Sequence, residues 1–170
     1  MIFGRDPLAN PEPLIRRVYS YVAYRLGDGP DAEDVTSDVF ERALRYKDSY
    51  DRERGEPVAW LMGIARRCIS ETLAERHNPL PPSAEEQSEE IDEHAIRRLT
   101  VRGAVRCLDE RDQELIALRY GADLTARQIA EVLGQRTNAV EVALHRALAR
   151  LRAELEREGQ PRKGLGAGAV

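Results

Sequence analysis

The chain has 170 residues and a formal net charge of −4, with one third of its residues charged and 42% hydrophobic. This balance indicates a globular protein and argues against a collagen-like or largely disordered chain. No apolar run reaches the roughly 18 residues that a membrane span needs, and the first residues lack the apolar core of a signal peptide. We therefore expect a cytoplasmic protein without membrane insertion. The low aromatic content of 5%, with abundant Arg and Glu, favours helices over sheets.

Motifs for chemistry or metal binding are few. The two cysteines, Cys68 and Cys107, offer neither a disulfide framework nor a metal-ligand spacing, and both adjoin apolar positions where we expect burial. No Gly-rich phosphate loop or nucleophile motif occurs. A Glu and a His four residues apart supply only half of a metal site, as in the pairs Glu90 with His94 and Glu141 with His145. We therefore predict no enzyme, no metal, no cofactor and no small-molecule ligand.

The distribution of charge divides the chain into segments. Residues 1–76 carry 12 basic and 14 acidic side chains. Residues 77–93 carry six acidic side chains and no basic one, and residues 94–157 carry 12 basic and nine acidic side chains. Segment 77–93 also has three prolines and few apolar residues, so it is predicted to be a flexible acidic linker. The Gly-rich tail, 158–170, is predicted to be mobile. We thus expect an all-α protein of two small helical domains, 1–76 and 94–157, joined by this linker.

Three helices are predicted in the first domain. Apolar periodicity places the first over about 13–26. The second begins after Pro30, with Asp31 as a predicted N-cap. The third begins at about Pro57, a residue suited to the first turn of a helix, and runs into the low 70s.

Acidic residues line one face of the second helix. They follow one another at spacings of three or four, which places them opposite the apolar face, and they are Asp31, Asp34, Asp38 and Glu41. Arg42 and Arg45 are each expected to pair with the acid four residues earlier. Taken alone, such a stripe is more typical of an ordinary solvated helix face than of a binding surface.

The second domain is predicted to hold four helices. After a first helix, Asp109 caps the second, which ends at Gly121. Residues 125–128 form a capping box that opens a short third helix. Gly134 ends this helix, and a long amphipathic helix starts at residue 137 or 138.

The last two helices, within 125–152, have the pattern of a helix-turn-helix. In that motif the second helix enters the DNA major groove, where base edges present distinct donors and acceptors. Arg146 and Arg150 lie further along this helix, where we expect phosphate contacts. The outward residues nearest its start are Arg136, Asn138, Glu141, Val142 and His145. A plain helical hairpin within a bundle is the alternative.

Taken together, most of the chain resembles the extracytoplasmic-function sigma factors, the minimal transcription initiation subunits of bacteria. The resemblance covers two blocks, residues 14–76 and 95–152. Two matching blocks in the family's order are stronger evidence than any single motif within them. The matching segments are DAEDVTSDVFERAL at 31–44, DSYDRERG at 48–55, AWLMGIARR at 59–67, LDERDQELIALRYGADLTARQIAEVLG at 108–134 and AVEVALHRALARLR at 139–152.

This resemblance implies partners. In the family, the helix that matches 31–44 docks on a coiled coil of the polymerase β′ subunit, and an acidic stripe would steer association with a basic partner. We therefore expect core RNA polymerase (its β′ and β subunits), promoter DNA and an anti-sigma factor as partners. The linker 77–93 matches the segment that family members thread near the polymerase active site, although a passive tether is an equal alternative.

The resemblance also implies two DNA-binding sites. The segment that melts and captures the −10 element corresponds to the loop 48–57 and the helix 57–76, with the candidate residues Tyr50, Arg52, Arg54, Trp60, Arg66, Arg67 and Ser70. Stacking of a base on an aromatic ring and pairing of Arg with the strand would serve this role, although Trp60 is also a candidate for core packing. The helix-turn-helix corresponds to the part that reads the −35 element, with Arg136, Thr137, Asn138, Glu141, Val142, His145 and Arg146.

Two features depart from the family pattern. Glu141 stands where relatives usually carry Lys or Arg, so it would lose a phosphate or guanine contact, or accept a hydrogen bond from cytosine. Residues 71–75 are also less basic than usual, which predicts low affinity for free DNA. Two other functions therefore remain open: a stand-alone helix-turn-helix regulator that binds duplex DNA as a dimer, and a degenerate relative that binds polymerase without reading promoters.

Overall fold

The computed structural model describes residues 6–76 and 93–159, apart from the side chains of 94–96, 98, 99 and 159. These residues form helices and no strand, which confirms the all-α fold class. The helices are α1 (Pro11–Leu26), α2 (Pro30–Arg45), α3 (Pro57–Arg76), α4 (Glu93–Arg106), α5 (Glu110–Ile116), α6 (Ala126–Leu133) and α7 (Thr137–Gly159).

The first three helices form a bundle. Helix α2 packs on both α1 and α3, and the buried residues of all three contribute to one core, including Val18, Val39 and Leu61. Asp31 is not the N-cap of α2, because the helix already begins at Pro30 and Gly29 occupies the cap position. Asp31 instead lies in the first turn, where its negative charge favours the positive end of the helix dipole.

The second half has the predicted helix-turn-helix. The Asp109 side chain accepts a hydrogen bond from the backbone N–H of Asp112 at 2.8 Å, which caps α5. A capping box begins α6, since the Thr125 backbone donates to the Gln128 side chain at 2.8 Å and the Gln128 backbone donates to Thr125 Oγ1 at 3.2 Å. Gly134 then adopts the left-handed conformation, φ 64°, that ends α6 before α7.

The two halves pack directly against each other, which the sequence did not predict. Helix α5 continues into a π-helical turn, Ala117–Gly121, and this turn packs on α1, while α6 packs on α3. A side chain at Gly121 would place its Cβ 2.8 Å from Tyr21 Cα, so only glycine fits there. Arg17 in α1 donates to the Ala122 carbonyl at 2.6 Å and to the Asp123 carbonyl at 2.8 Å. One hydrophobic core therefore spans both halves.

The predicted linker and tail lie almost entirely outside the described residues. Of the linker 77–93, only Glu93 is described, and it begins α4. Of the tail 158–170, only the first two residues are described, and they continue α7 beyond the predicted boundary at residue 157.

Two predictions about individual side chains are wrong. Arg42 does not pair with Asp38 but reaches across to α3, where it donates to both carboxylate oxygens of Glu71 at 2.5 and 3.0 Å. This pairing lowers the pKa of Glu71. Cys107 is exposed rather than buried, because it follows α4 in the turn before α5, whereas Cys68 is buried as predicted.

We expect the two thiols to differ in reactivity. Burial raises the pKa of the Cys68 thiol and blocks access to it, so Cys107 should react first. Titration of the native protein with Ellman's reagent at about pH 8 should show one fast thiol, and the second only after unfolding. The Cys107→Ser variant should lose the fast phase. Two fast thiols in the wild-type protein would contradict the packing around Cys68.

Candidate polymerase and nucleic-acid interfaces

The acidic face of α2 points to solvent. Its four predicted members, Asp31, Asp34, Asp38 and Glu41, are all exposed, while Val35 and Val39 on the other face are buried. Asp31 is paired with Arg76 at the end of α3, and Glu41 with Arg45 at 2.8 Å. Within the described ranges, Asp34 and Asp38 form no salt bridge. The centre of this face therefore presents two exposed carboxylates to solvent.

Tyr50, in the loop between α2 and α3, forms an aromatic pair with Trp60 of α3. The rings of Tyr50 and Trp60 lie with their centroids 5.5 Å apart at an interplanar angle of 59°, and the Tyr50 hydroxyl donates to the Gly55 carbonyl at 2.9 Å. Partial burial raises the pKa of Tyr50. Trp60 also packs against the core, so it combines the predicted packing role with one half-exposed face. Beside the two rings is a cavity of about 200 Å³.

The basic residues predicted to contact the −10 element differ in accessibility. Arg52, Arg54 and Arg67 are exposed, and Arg54 is only loosely paired with Asp51 at 3.4 Å. Ser70 is exposed, but its hydroxyl donates to the Arg66 carbonyl at 2.9 Å within α3. Two cavities that share Trp60 connect part of this predicted set, since Tyr50 and Arg54 line one and Arg67 lines the other.

Arg66 is the exception, because its guanidinium is already occupied. Its Nε lies 2.9 Å from the Glu114 carboxylate, and its Nη1 donates to the Val132 carbonyl at 3.3 Å. Both partners belong to the second half of the chain. The Arg66 side chain remains 41% exposed, so a DNA phosphate would share this guanidinium with the two contacts.

The start of α7 presents the predicted DNA-reading residues. Arg136, just before the helix, and five residues of its first turns are exposed, namely Asn138, Glu141, Val142, His145 and Arg146. Thr137, the first helical residue, is half-buried. Val140 and Leu144 are buried and hold the opposite face of α7 on the core. One face of the helix is therefore free for a DNA groove.

Arg150, which the sequence predicted as a phosphate contact, already has a partner within the protein. Its guanidinium binds both oxygens of Asp112, at 2.8 Å for the Nη2 contact, and the Asp112 side chain is only 3% exposed. This ion pair fixes α7 on α5, while 52% of the Arg150 side chain remains exposed. Asp112 therefore positions α7, a role that sequence reasoning missed.

Sequence reasoning also missed the cluster around Glu114. Its carboxylate accepts hydrogen bonds from Tyr21 at 2.9 Å and from Arg25, in addition to the Arg66 contact. The Arg25 side chain is only 5% exposed, and burial with the neighbouring carboxylate raises the pKa of Tyr21. These partners lie 89 and 93 residues from Glu114 along the chain, so no local pattern could join them.

Two family models match the two halves of the chain. The model for Sigma-70 region 2 matches residues 12–78, and the model for Sigma-70 region 4 matches residues 98–151. The ECF RNA polymerase sigma factor ShbA of Streptomyces griseus is 34% identical over 176 residues, which cover 89% of this chain and 86% of ShbA. The chain belongs to the ECF RNA polymerase sigma factors.

Other relatives agree with this family assignment. SigD of Mycobacterium tuberculosis is 30% identical over 174 residues, covering 91% of this sigma factor and 78% of SigD. BldN of Streptomyces coelicolor is 29% identical over 140 residues, and the match spans 77% of this sigma factor but only 53% of BldN. Neither the stand-alone regulator nor the degenerate relative gains support from these similarities.

Solved structures have the same fold. The sigma factor RpoE, co-crystallised with the anti-sigma factor NepR from Bartonella quintana, superposes with a TM-score of 0.66 at 18% identity, over 84% of this sigma factor and 92% of RpoE. CnrH, solved with the cytosolic domain of CnrY, gives a TM-score of 0.59 at 24% identity, over 87% and 83% of the two chains. No helix in the described ranges of this sigma factor combines the length and hydropathy of a membrane span.

Proposed function

We propose that this sigma factor binds core RNA polymerase through α2, captures the −10 element with the 48–57 loop and α3, and reads the −35 element with α7. The observation that carries the proposal is the separation of three chemically different exposed surfaces. An acidic face lies on α2, an aromatic and basic surface lies beside Trp60, and a polar helix face lies at the start of α7. Each has the chemistry of its expected partner.

The other expected properties follow from this role. The protein performs no chemistry of its own, it acts in the cytoplasm with polymerase, and an anti-sigma factor regulates it. The anti-sigma factor is supported by the two solved structures, since RpoE and CnrH were each solved with another protein, named in the RpoE case as an anti-sigma factor. Within the described residues, no three His, Cys, Asp or Glu side chains are grouped as a metal site would require.

Promoter reading at the −35 element is assigned chiefly to Glu141. This residue lies in the second turn of α7 on the exposed face, where a side chain meets base edges in a helix-turn-helix. In the major groove only cytosine and adenine present an amino group to a carboxylate, and acceptance from the cytosine amino group is the usual pairing for glutamate. We infer that the promoters of this sigma factor carry a cytosine at the position facing Glu141.

Core binding is tested by reversing the charge of the acidic face. The Asp34→Lys/Asp38→Lys variant should bind core polymerase at least about tenfold more weakly, because two close attractive contacts become repulsive. The measurement is the dissociation constant of labelled sigma factor and core polymerase at fixed ionic strength. The Glu12→Lys/Glu156→Lys variant is the control, since it also reverses two exposed acids, and these lie on α1 and α7. Equal losses in both variants would reject a specific role for α2.

Capture of the −10 element is tested at Arg67, an exposed arginine of α3. The Arg67→Ala variant should lower open-complex formation by about three- to tenfold, because it removes a cation that would hold the single strand. Permanganate reactivity of promoter thymines in the holoenzyme measures opening directly. Arg16→Ala, an exposed arginine on α1, should have no effect. Normal opening by the Arg67 variant would remove this residue from the site.

A further inference from the structure

Arg150 of α7 uses only one edge of its guanidinium within the described part of the chain. Its Nε and Nη2 atoms donate to the two carboxylate oxygens of Asp112, with the Nη2 contact at 2.8 Å. These two atoms form one edge of the planar group, so both N–H groups of Nη1 and the second N–H of Nη2 point away from Asp112. The Arg150 side chain is 52% exposed. A second anion can therefore bind the free edge while the contact with Asp112 stays in place.

Asp112 gives this guanidinium a fixed orientation. The Asp112 side chain is only 3% exposed, and it belongs to the first turn of α5, which the side chain of Asp109 caps. A buried carboxylate needs a charged partner, because an unpaired charge in the protein interior is costly. The direction of Arg150 is therefore set by the packing of α7 on α5.

Arg150 also lines a cavity of about 570 Å³ between α5 and α7. Two more arginines line this cavity, Arg111 from α5 and Arg146 from α7, and both are exposed. Within the described residues, neither of these two forms a salt bridge. The two acids of the lining are already bonded, since Asp109 caps α5 and Asp112 pairs with Arg150. The cavity thus offers cations to an anion from outside.

The same cavity adjoins the residues assigned to the −35 element. Asn138 and Val142, from the first turns of α7, are part of its lining. When a helix enters the major groove, the sides of the helix come close to the phosphates that border the groove. A backbone phosphate of the upstream duplex is therefore the anion that this position favours.

We propose that Arg150 binds a backbone phosphate of the −35 element and that Asp112 is the positioning residue that orients Arg150 for this contact. The proposal rests on the −35 role assigned above to α7. Because the ion pair orders the Arg150 side chain before DNA arrives, less side-chain freedom is lost on binding. A phosphate contact carries no sequence information itself, but it fixes the register of α7 and so places Glu141 opposite one base pair.

Charge and orientation have opposite effects at Asp112, and this difference makes the proposal testable. Asp112→Asn keeps the shape of the side chain and removes a negative charge, so charge alone predicts tighter DNA binding. Loss of the orientation of Arg150 predicts weaker binding. Arg150→Gln removes the phosphate contact, and Asp112→Asn/Arg150→Gln restores a neutral hydrogen-bonding pair without restoring the cation. Arg157→Gln is the matched control, because it removes another exposed arginine about two turns further along α7.

The measurement is the affinity of the holoenzyme for a promoter that the wild-type holoenzyme selects from a random library, at about 50 to 200 mM KCl. Arg150→Gln should weaken binding about three- to tenfold and reduce the slope of log affinity against log salt concentration by about 0.9, the value for one phosphate. Asp112→Asn should weaken binding about threefold and reduce the preference at the base pair that faces Glu141. The double variant should match Arg150→Gln, since Asp112 acts through Arg150, and the control should match the wild-type protein.

Three results would overturn the proposal. Tighter binding by Asp112→Asn would show that this residue contributes charge and not orientation. An unchanged salt slope in Arg150→Gln would show that Arg150 binds no phosphate, and this arm decides alone if circular dichroism shows that Asp112→Asn does not fold. Wild-type affinity of the double variant would show that the pair only packs α7 on α5. Selection of no promoter by the wild-type holoenzyme would instead reject the −35 role itself, so the two failures are distinguishable.

Discussion

Replacing Gly121 with alanine should destabilise the protein by about 1–3 kcal/mol, because the new methyl group has no space. Its carbon would lie 2.8 Å from Tyr21 Cα and 2.9 Å from Tyr21 N, and both are backbone atoms that no rotamer change can move. The backbone at Gly121 does not have a positive φ, so alanine is excluded by the neighbouring helix and not by its own conformation. The Gly121→Ala variant therefore tests the close approach of α1 to the π-helical turn, without any added backbone strain at residue 121.

Thermal unfolding followed by circular dichroism measures this effect. For a chain of this size the melting temperature should fall by about 2–4 °C for each kcal/mol. Gly103→Ala is the control, because an added Cβ there meets nothing within 4 Å and alanine in a helix is favoured by about 0.5–1 kcal/mol. A Gly121→Ala variant as stable as Gly103→Ala would contradict the packing of the two halves.

Replacing Glu141 with lysine should reduce transcription from the native promoter by about 10- to 100-fold. A specific side-chain contact to a base is worth about 1–3 kcal/mol of discrimination, and lysine cannot accept the hydrogen bond from cytosine. The variant should also prefer a guanine at the same promoter position, since lysine donates to the guanine acceptors. Transcription from promoter pairs that differ only at this base pair measures both effects.

The control for this substitution lies on the same helix. Glu156→Lys changes the net charge by the same amount, but its exposed position is near the far end of α7. It should leave promoter preference unchanged. Higher activity of Glu141→Lys on every promoter would instead support a degenerate relative in which the glutamate repels the DNA backbone.

The helices and their ends could be predicted because their causes are local. The side chains of Asp109 and Thr125 bind backbone N–H groups three residues away, and Gly134 supplies the conformation that ends α6. These causes are visible in a few neighbouring residues. The prediction of Asp31 as an N-cap was wrong because Pro30 itself fits the first turn of α2.

Side-chain partners were harder to predict because they depend on the packing between helices. Arg42 has an acid four residues earlier, yet it forms its ion pair with Glu71 on α3. Arg150 was expected to point to solvent, yet it forms an ion pair with Asp112 on α5. Arg66 could be identified as a basic residue of the −10 surface, but its contact with Glu114 spans 48 positions in the chain. The exposure of the α2 acids and of the first turns of α7 was easier to predict, since it follows from helical periodicity alone.

The positions of a few exposed arginines explain how a chain with a net charge of −4 can bind DNA. Its net charge gives little general attraction for phosphate, so promoter binding must come from a few placed contacts within the polymerase complex. The exposed residues Arg52, Arg54, Arg67, Arg136 and Arg146 are the candidates for such contacts. The free protein should accordingly bind duplex DNA weakly, unlike a stand-alone helix-turn-helix regulator.

Transcription by core bacterial polymerase from a randomised promoter library, with and without this protein, is the most direct test of the assigned function. A working sigma factor should yield new transcripts from promoters enriched in two separate elements, with cytosine at the position that faces Glu141. Enrichment of a single element, or transcripts unchanged by the protein, would contradict promoter recognition by two separate domains. If the protein also failed to co-purify with core polymerase, its role as a sigma factor would be rejected.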